Sequence, residues 1–300
     1  AQSHECFSVI VDLVKTTTSD GVRLDGAIHS PTHTPLDPLA VDALVCLHGV
    51  GGNFYGSTLF EKITPALLDL GLAILWTNTR GHDGVYPAVA TNRGRLGAGY
   101  ETVDECRYDI AAWVDLLVER GYRRVGLLGH SLGAIKAIYS HAQQPHPAVE
   151  CIIAASPPRL SYSCFNNGER SEVFFETICE AERHVSEGRG KTLMEVKFPF
   201  PLLITAESYV DKYGREERYN IVKFVEQIDC PTLFTYGQLE LEQSGVAFAG
   251  VPDALRANLT EPQRVAITTI PDADHLYTGA QESLGTHIAS WLKALASSVH

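Results

Sequence analysis

The chain has 300 residues, 45% of them hydrophobic, with 36 acidic against 24 basic side chains and a formal net charge of −12. That length and apolar content suffice for one large α/β core with an insertion, and the acidic balance disfavours nucleic acid and anionic membrane as partners. No apolar run is long enough for a membrane span, because the stretch from Leu67 to Trp76 is broken by Asp69.

The start carries no basic segment followed by an apolar one, so no signal peptide is visible. The seven cysteines are odd in number, irregularly spaced and without a C-x-x-C pair. Cys46 and Cys151 fall in apolar runs, where cysteine behaves as a small buried hydrophobe. A reduced, cytoplasmic setting is expected. No His and Cys cluster has zinc-ligand spacing in the sequence.

In chain order, Phe7 to Val14 and Val22 to Ile28 alternate as strands, and Ser19-Asp20-Gly21 between them signals a turn. An antiparallel hairpin therefore opens the chain. His29 to Pro38 is a connection rich in proline and threonine. Ala43 to Leu47 is a buried strand that runs into His48-Gly49-Val50-Gly51-Gly52-Asn53. Such a loop brings backbone N–H groups close to a ligand, as acyl transfer requires for the oxyanion of its tetrahedral intermediate. His48 reads as structural, because the donors wanted here are backbone groups.

A helix is expected from about Thr58 to Leu70 and a strand from Leu72 to Trp76. In the turn that follows, Arg80 and His82 read as structural. Glu101 to Gly121 has the spacing of a long helix, with Ile110, Trp113, Leu116 and Leu117 on one face. Next comes Val125-Gly126-Leu127-Leu128-Gly129-His130-Ser131-Leu132-Gly133-Ala134, a short apolar run that passes through Gly-His-Ser-Leu-Gly into a helix. Ser131 stands at the apex of this turn, with its hydroxyl pushed out at a strand's carboxyl end. His130 reads as a packing residue.

This G-x-S-x-G turn, placed between a strand and a helix, resembles the nucleophile elbow of the α/β-hydrolase family. The resemblance covers nearly the whole chain. It implies an α/β fold with a mostly parallel eight-stranded sheet flanked by helices. It assigns the oxyanion donors to the N–H groups of Val50 and Leu132. The sixth strand, Cys151 to Ala155, is followed by a region where the strand rhythm stops until Cys230. Glu172 to Glu187 and Glu216 to Gln227 are helical in pattern. An insertion at this place in the resembling fold is a cap, so residues 1–156 and 231–300 are assigned to the core and 157–230 to the cap. Its aromatics Tyr162, Phe165, Phe174, Phe175, Phe198 and Phe200 are candidates either for a pocket lining or for the cap's own core.

Pro231 to Gly237 forms the seventh strand. The family places an acid just after it, usually as Gly-x-x-Asp; this chain has Glu240 there, with Glu242 as a competitor. Arg264 to Ile270 is the eighth strand, and the family's histidine position falls on His275, in the loop before a last helix from about Gln281 to Leu295. Adjacent Asp274 reads as a loop-shaping residue. The order Ser131, Glu240, His275 is the family's nucleophile–acid–base order.

What the resemblance implies is a serine hydrolase acting on a small or medium carboxylic ester, thioester or lactone, with no metal or organic cofactor. A carbon–carbon bond hydrolase with the same triad and a non-catalytic ligand-binding member of the fold are the alternatives. Serine at the elbow argues against dehalogenases and epoxide hydrolases, which use aspartate there. The expected partner is a small-molecule substrate, and a homodimer is left open.

Overall fold

In the computed structural model, residues 11–33, 39–88 and 94–297 are described. The start of the expected first strand, at Phe7, and half of the proline- and threonine-rich connection, 34–38, lie outside them. Eight strands form one sheet: β1 (Val11–Thr17), β2 (Arg23–His29), β3 (Ala43–Leu47), β4 (Ala73–Thr77), β5 (Val125–His130), β6 (Val149–Ala155), β7 (Thr232–Gly237) and β8 (Val265–Ile270). Their spatial order is β1-β2-β4-β3-β5-β6-β7-β8. β1 and β2 form the expected antiparallel hairpin, β2 is antiparallel to β4, and every later pair is parallel.

The register explains why loops far apart in sequence converge. Leu47 at the end of β3 pairs with Gly129, His130 with Ala155, Ala155 with Thr235, and Gly237 with Ile270. Five strand ends are therefore aligned along one edge of the sheet, the carboxyl edge, where open α/β sheets meet their ligands.

The flanking helices are α1 (Thr58–Leu68), α2 (Cys106–Glu119) and α3 (Leu132–Gln143). Between β6 and β7 lie α4 (Tyr162–Asn166), α5 (Ser171–Ser186) and α6 (Ala206–Tyr213). They are followed by α7 (Gln238–Gln243), α8 (Val251–Ala257) and α9 (Gln281–Ser297). Among the described residues no helix is long and apolar enough to cross a membrane.

The two-residue alternation of each buried strand splits the core. From β3, Val45 and Leu47 join one layer, with Trp113 of α2 and Ile138 of α3. Leu44 and Cys46 face the other, with Ile63 of α1 and Ile288 of α9.

Two expectations for 157–230 are corrected. The strand rhythm does not stop there: Leu193–Val196 and Leu202–Thr205 pair as an antiparallel ribbon, each with an apolar residue turned inward, Met194 and Ile204. The expected helix from Glu216 to Gln227 is instead two 3₁₀ turns, Ile221–Lys223 and Val225–Gln227. Asn220 takes the Val222 N–H on its side chain and the Lys223 N–H on its carbonyl, which tightens the chain. The turns point Ile221 and Val225 into the layer that holds α3, so tertiary packing overrides the helical pattern.

Candidate active site

Ser131 links β5 to α3 at φ 56° and ψ −121°, a conformation that non-glycine residues rarely adopt. Close backbone approach makes the turn possible. A Cβ on Gly129 would lie 2.2 Å from the Gly133 oxygen, and one on Gly133 would lie 2.0 Å from the Leu47 oxygen. Any side chain at either position would collide with main chain. The Ser131 N–H donates to the Ala155 oxygen at 2.9 Å, which ties the apex to β6.

His275 follows β8, and its Nε2 lies 3.0 Å from Ser131 Oγ. Its Nδ1 is hydrogen-bonded to Glu240 Oε1. Asp274 shapes this loop, as expected: its Oδ1 accepts the N–H groups of Leu276 at 2.9 Å and Thr278 at 2.8 Å. Glu240 sits in the first turn of α7 and is 1% exposed. Its second oxygen, Oε2, accepts from the Gly237 N–H at 3.1 Å and from Ser156 Oγ at 2.7 Å. Glu242 is exposed and takes a bond from Gln238 Nε2 at 3.1 Å. Of the two candidate acids, only Glu240 meets His275.

Three contributors were not singled out from the sequence. Ser156 follows β6 at φ 51°, and its Oγ lies 2.9 Å from the Tyr277 hydroxyl, which in turn lies 2.8 Å from Thr235 Oγ1. This buried hydroxyl cluster backs the Glu240 carboxylate. The signal for Ser156 was its place at a strand end on the carboxyl edge. His130 does pack, but it also donates from Nε2 to the His275 main-chain oxygen at 2.8 Å. Burial, with the neighbouring His275, lowers the His130 pKa to about 4, so the ring stays neutral.

The N–H groups expected to be oxyanion donors belong to Val50, which lines the cleft beside Ser131, and Leu132, the first residue of α3. Neither N–H has a hydrogen-bond acceptor among the described residues. Gly49 lies against the serine: a Cβ there would be 3.2 Å from Ser131 Cβ. His48 Nε2 accepts the Thr79 N–H at 3.0 Å, so its proton sits on Nδ1, which donates to the Gly49 oxygen at 2.8 Å.

The cleft has a volume of about 900 Å³ and runs from Ser131 and His275 past the 50–53 loop to Ser57 and Phe60. Of the aromatics considered for its lining, only Phe200 borders it. Phe165, Phe174 and Phe198 pack edge-on or tilted against one another, with ring centroids 5.0 to 5.5 Å apart, and Tyr162 packs on Phe174 at 5.4 Å. Phe175 is exposed.

Arg80 and His82 do not border the cleft. Arg80 is buried among Asp20, Glu105 and Asp109, and His82 bonds Asp83 at 2.8 Å and stacks on Tyr86. Among the described residues one trio has metal-ligand proximity, His141, Asp229 and Cys230, with ligand atoms within 4.8 Å. It lies apart from the cleft, and its His141 and Asp229 are already hydrogen-bonded to each other at 2.7 Å.

By sequence alone the chain matches no family model, and no curated protein is similar to it. Its three-dimensional form is similar to several solved structures. The α/β hydrolase GrgF from Penicillium sp. sh18 superposes with a TM-score of 0.70 at 15% identity, over 96% of this chain and 100% of that one. Est1E from Butyrivibrio proteoclasticus, solved with ferulic acid bound, gives 0.65 at 14% identity, over 95% and 100%. The Pyrococcus furiosus esterase Pf2001 gives 0.60 at 18% identity, over 95% and 91%. With sheet order, elbow and near-complete superposition in agreement, the chain has the α/β-hydrolase fold.

Proposed function

We propose that this protein is a serine hydrolase that cleaves a small or medium carboxylic ester, thioester or lactone through an acyl-enzyme on Ser131. The observation that carries the reading is the unbroken line from Ser131 Oγ, 3.0 Å to His275 Nε2, and from His275 Nδ1 to buried Glu240. One of the named structural neighbours, Pf2001, is an esterase, which supports an ester substrate over a carbon–carbon bond.

Serine is a weak nucleophile until a base takes its proton. With Nδ1–H given to Glu240, His275 presents an unprotonated Nε2 to Ser131. As Oγ bonds the ester carbon, the proton passes to Nε2, and Glu240 stabilises the imidazolium. The carbonyl oxygen becomes an anion held by the N–H groups of Val50 and Leu132, the latter at a helix amino terminus. The imidazolium then protonates the leaving alcohol, and water activated by His275 releases the acid.

The segment 157–230 serves as a cap that shapes the substrate site. Its support is position: it is inserted between β6 and β7 and sends Phe200 to the cleft, while Ser131, His275 and Glu240 all lie outside it. It is firmly seated, with the Thr205 N–H on the Gly99 oxygen at 2.8 Å and Asp211 Oδ2 accepting the Val103 N–H at 3.1 Å. A panel of p-nitrophenyl esters of increasing acyl length, run on the wild type and on Ser131→Ala, tests the function. Turnover confined to the wild type supports it; equal turnover by both removes it.

A further inference from the structure

A cluster of buried charge lies beneath the loop that carries Val50. Lys136 follows Ser131 on α3 and is completely buried. Its ammonium pairs with Glu101 Oε1 at 2.5 Å, and Glu101 Oε2 lies 3.4 Å from the ammonium of Lys212 on α6. Burial opposes the charge on Glu101, but the two ammonium groups hold its pKa down at about 2. Taking ions out of water is costly, and pairing offsets that cost only where the geometry is good.

The cluster reaches the active site through hydrogen bonds. Lys136 Nζ donates to Thr79 Oγ1 at 2.9 Å, which leaves the Thr79 hydroxyl proton for His48 Nε2, 3.1 Å away. That nitrogen already takes the Thr79 N–H. The N–H by itself keeps the ring proton on Nδ1, against the Gly49 oxygen, and the hydroxyl held by Lys136 shares the same lone pair and so sets the tilt of the ring. Gly49 C=O and Val50 N–H belong to one planar trans peptide and point in opposite directions. Clamping the oxygen therefore aims the N–H. The charged and titratable groups around His48 are Lys136, Glu101 and His82, and burial together with the Lys136 cation lowers its pKa to about 3.

We propose that Lys136 is a positioning residue for the Val50 oxyanion donor, acting through Thr79 and His48 to set the plane of the Gly49–Val50 peptide. The inference rests on the serine-hydrolase reading. It also connects the cap to the reaction, since Lys212 anchors the far end of the cluster.

The test uses ester kinetics and a trifluoromethyl ketone of matching acyl length. When the ketone binds, Ser131 oxygen bonds its carbonyl carbon, the serine proton passes to His275, and the ketone oxygen becomes an anion in the oxyanion site. Thr79→Val cuts the chain while keeping side-chain shape. It is expected to lower kcat and ketone affinity together, each by about tenfold, below the 10²- to 10³-fold for deleting a donor outright, with KM little changed. Thr79→Ser, which keeps the hydroxyl, restores both. Lys136→Met is expected to match Thr79→Val, and the double variant to be no worse than the larger single, because residues on one path are not additive.

A folded Thr79→Val with wild-type kcat and ketone affinity overturns the proposal, as do multiplying effects in the double variant. If Lys136→Met does not fold, the Thr79→Val and Thr79→Ser pair decides alone. Failure of the underlying reading looks different: the wild type would not bind the ketone and Ser131→Ala would retain turnover, and the proposal would fall with it.

Discussion

His130 Nε2 donates to the main-chain oxygen of His275 across 2.8 Å, so the residue that precedes the serine holds the loop that carries the histidine. The two rings are 5.0 Å apart and tilted, and the contact joins the end of β5 to the loop after β8. On the proposed mechanism this bond keeps Nε2 of His275 in line with Ser131. His130→Phe retains bulk and loses the donor. It is expected to lower kcat by about tenfold and leave KM within about twofold, since small misplacements at a reacting centre act on rate more than on binding. Steady-state kinetics on a folded variant checks it; unchanged kcat would reduce His130 to packing.

The acid assignment separates cleanly by mutation. Glu240→Gln removes the countercharge and the tautomer preference of His275 and is expected to lower kcat by about 10²- to 10⁴-fold. Glu242→Gln alters an exposed side chain bonded to Gln238 and should leave kcat near wild type. Ser156→Ala takes one donor from Glu240 Oε2 and should fall between them. Kinetics of all three, beside circular dichroism, gives the order; a large loss from Glu242→Gln would reverse the assignment.

Acid should destabilise the fold in a window set by two neutral histidines. His48 and His130 have folded pKa values of about 3 and about 4, against roughly 6.5 in the unfolded chain. Above about pH 6.5 neither state binds the extra protons, and their contribution to stability is fully present. As pH falls from there toward about 4, the unfolded chain takes up protons that the folded protein refuses, so stability falls by up to about 1.4 kcal/mol per pH unit for each ring. Denaturant unfolding from pH 7.5 to 4.5 should show this decline. His130→Phe should show a shallower one; an unchanged slope would mean that His130 does not stay neutral.

Aromatics of the 157–230 segment should divide into two classes. Phe174 is fully buried against Phe165 and Phe198, and Phe174→Ala should cost about 3–5 kcal/mol of stability. Phe200 is 45% exposed and borders the cleft. Phe200→Ala should leave stability nearly unchanged and shift preference among acyl lengths by about 1–3 kcal/mol per affected methylene contact. Melting curves and the ester panel together check the division. Loss of all esters from Phe200→Ala would give the segment a part in the chemistry.

The sheet was legible in the sequence because its central strands are apolar runs, as 43–47 and 125–129 are, each followed within two residues by a glycine or serine at the carboxyl edge. That edge also made Ser131, His275 and Glu240 legible, since each follows a strand end. What supports them was not legible. Ser156, Tyr277 and Thr235 come together only through the pairing of β6 with β7 and the path of the 271–280 loop. His130 looked apolar in role because its acceptor is a main-chain oxygen, which no side-chain pattern announces. In 157–230, prolines at 199 and 201 hid a ribbon of only four residues a side, and the helical spacing of 216–227 gave way to packing of Ile221 and Val225.

Covalent capture shows whether Ser131 is a nucleophile activated by His275. The protein is incubated with a fluorophosphonate, which releases fluoride as the serine oxygen bonds phosphorus, and the adduct is located by peptide mass spectrometry. One adduct is expected, on Ser131, formed by the wild type, absent from Ser131→Ala and slowed by about 10³-fold or more in His275→Ala. An adduct on another residue, or labelling of Ser131 at an undiminished rate without His275, would contradict it.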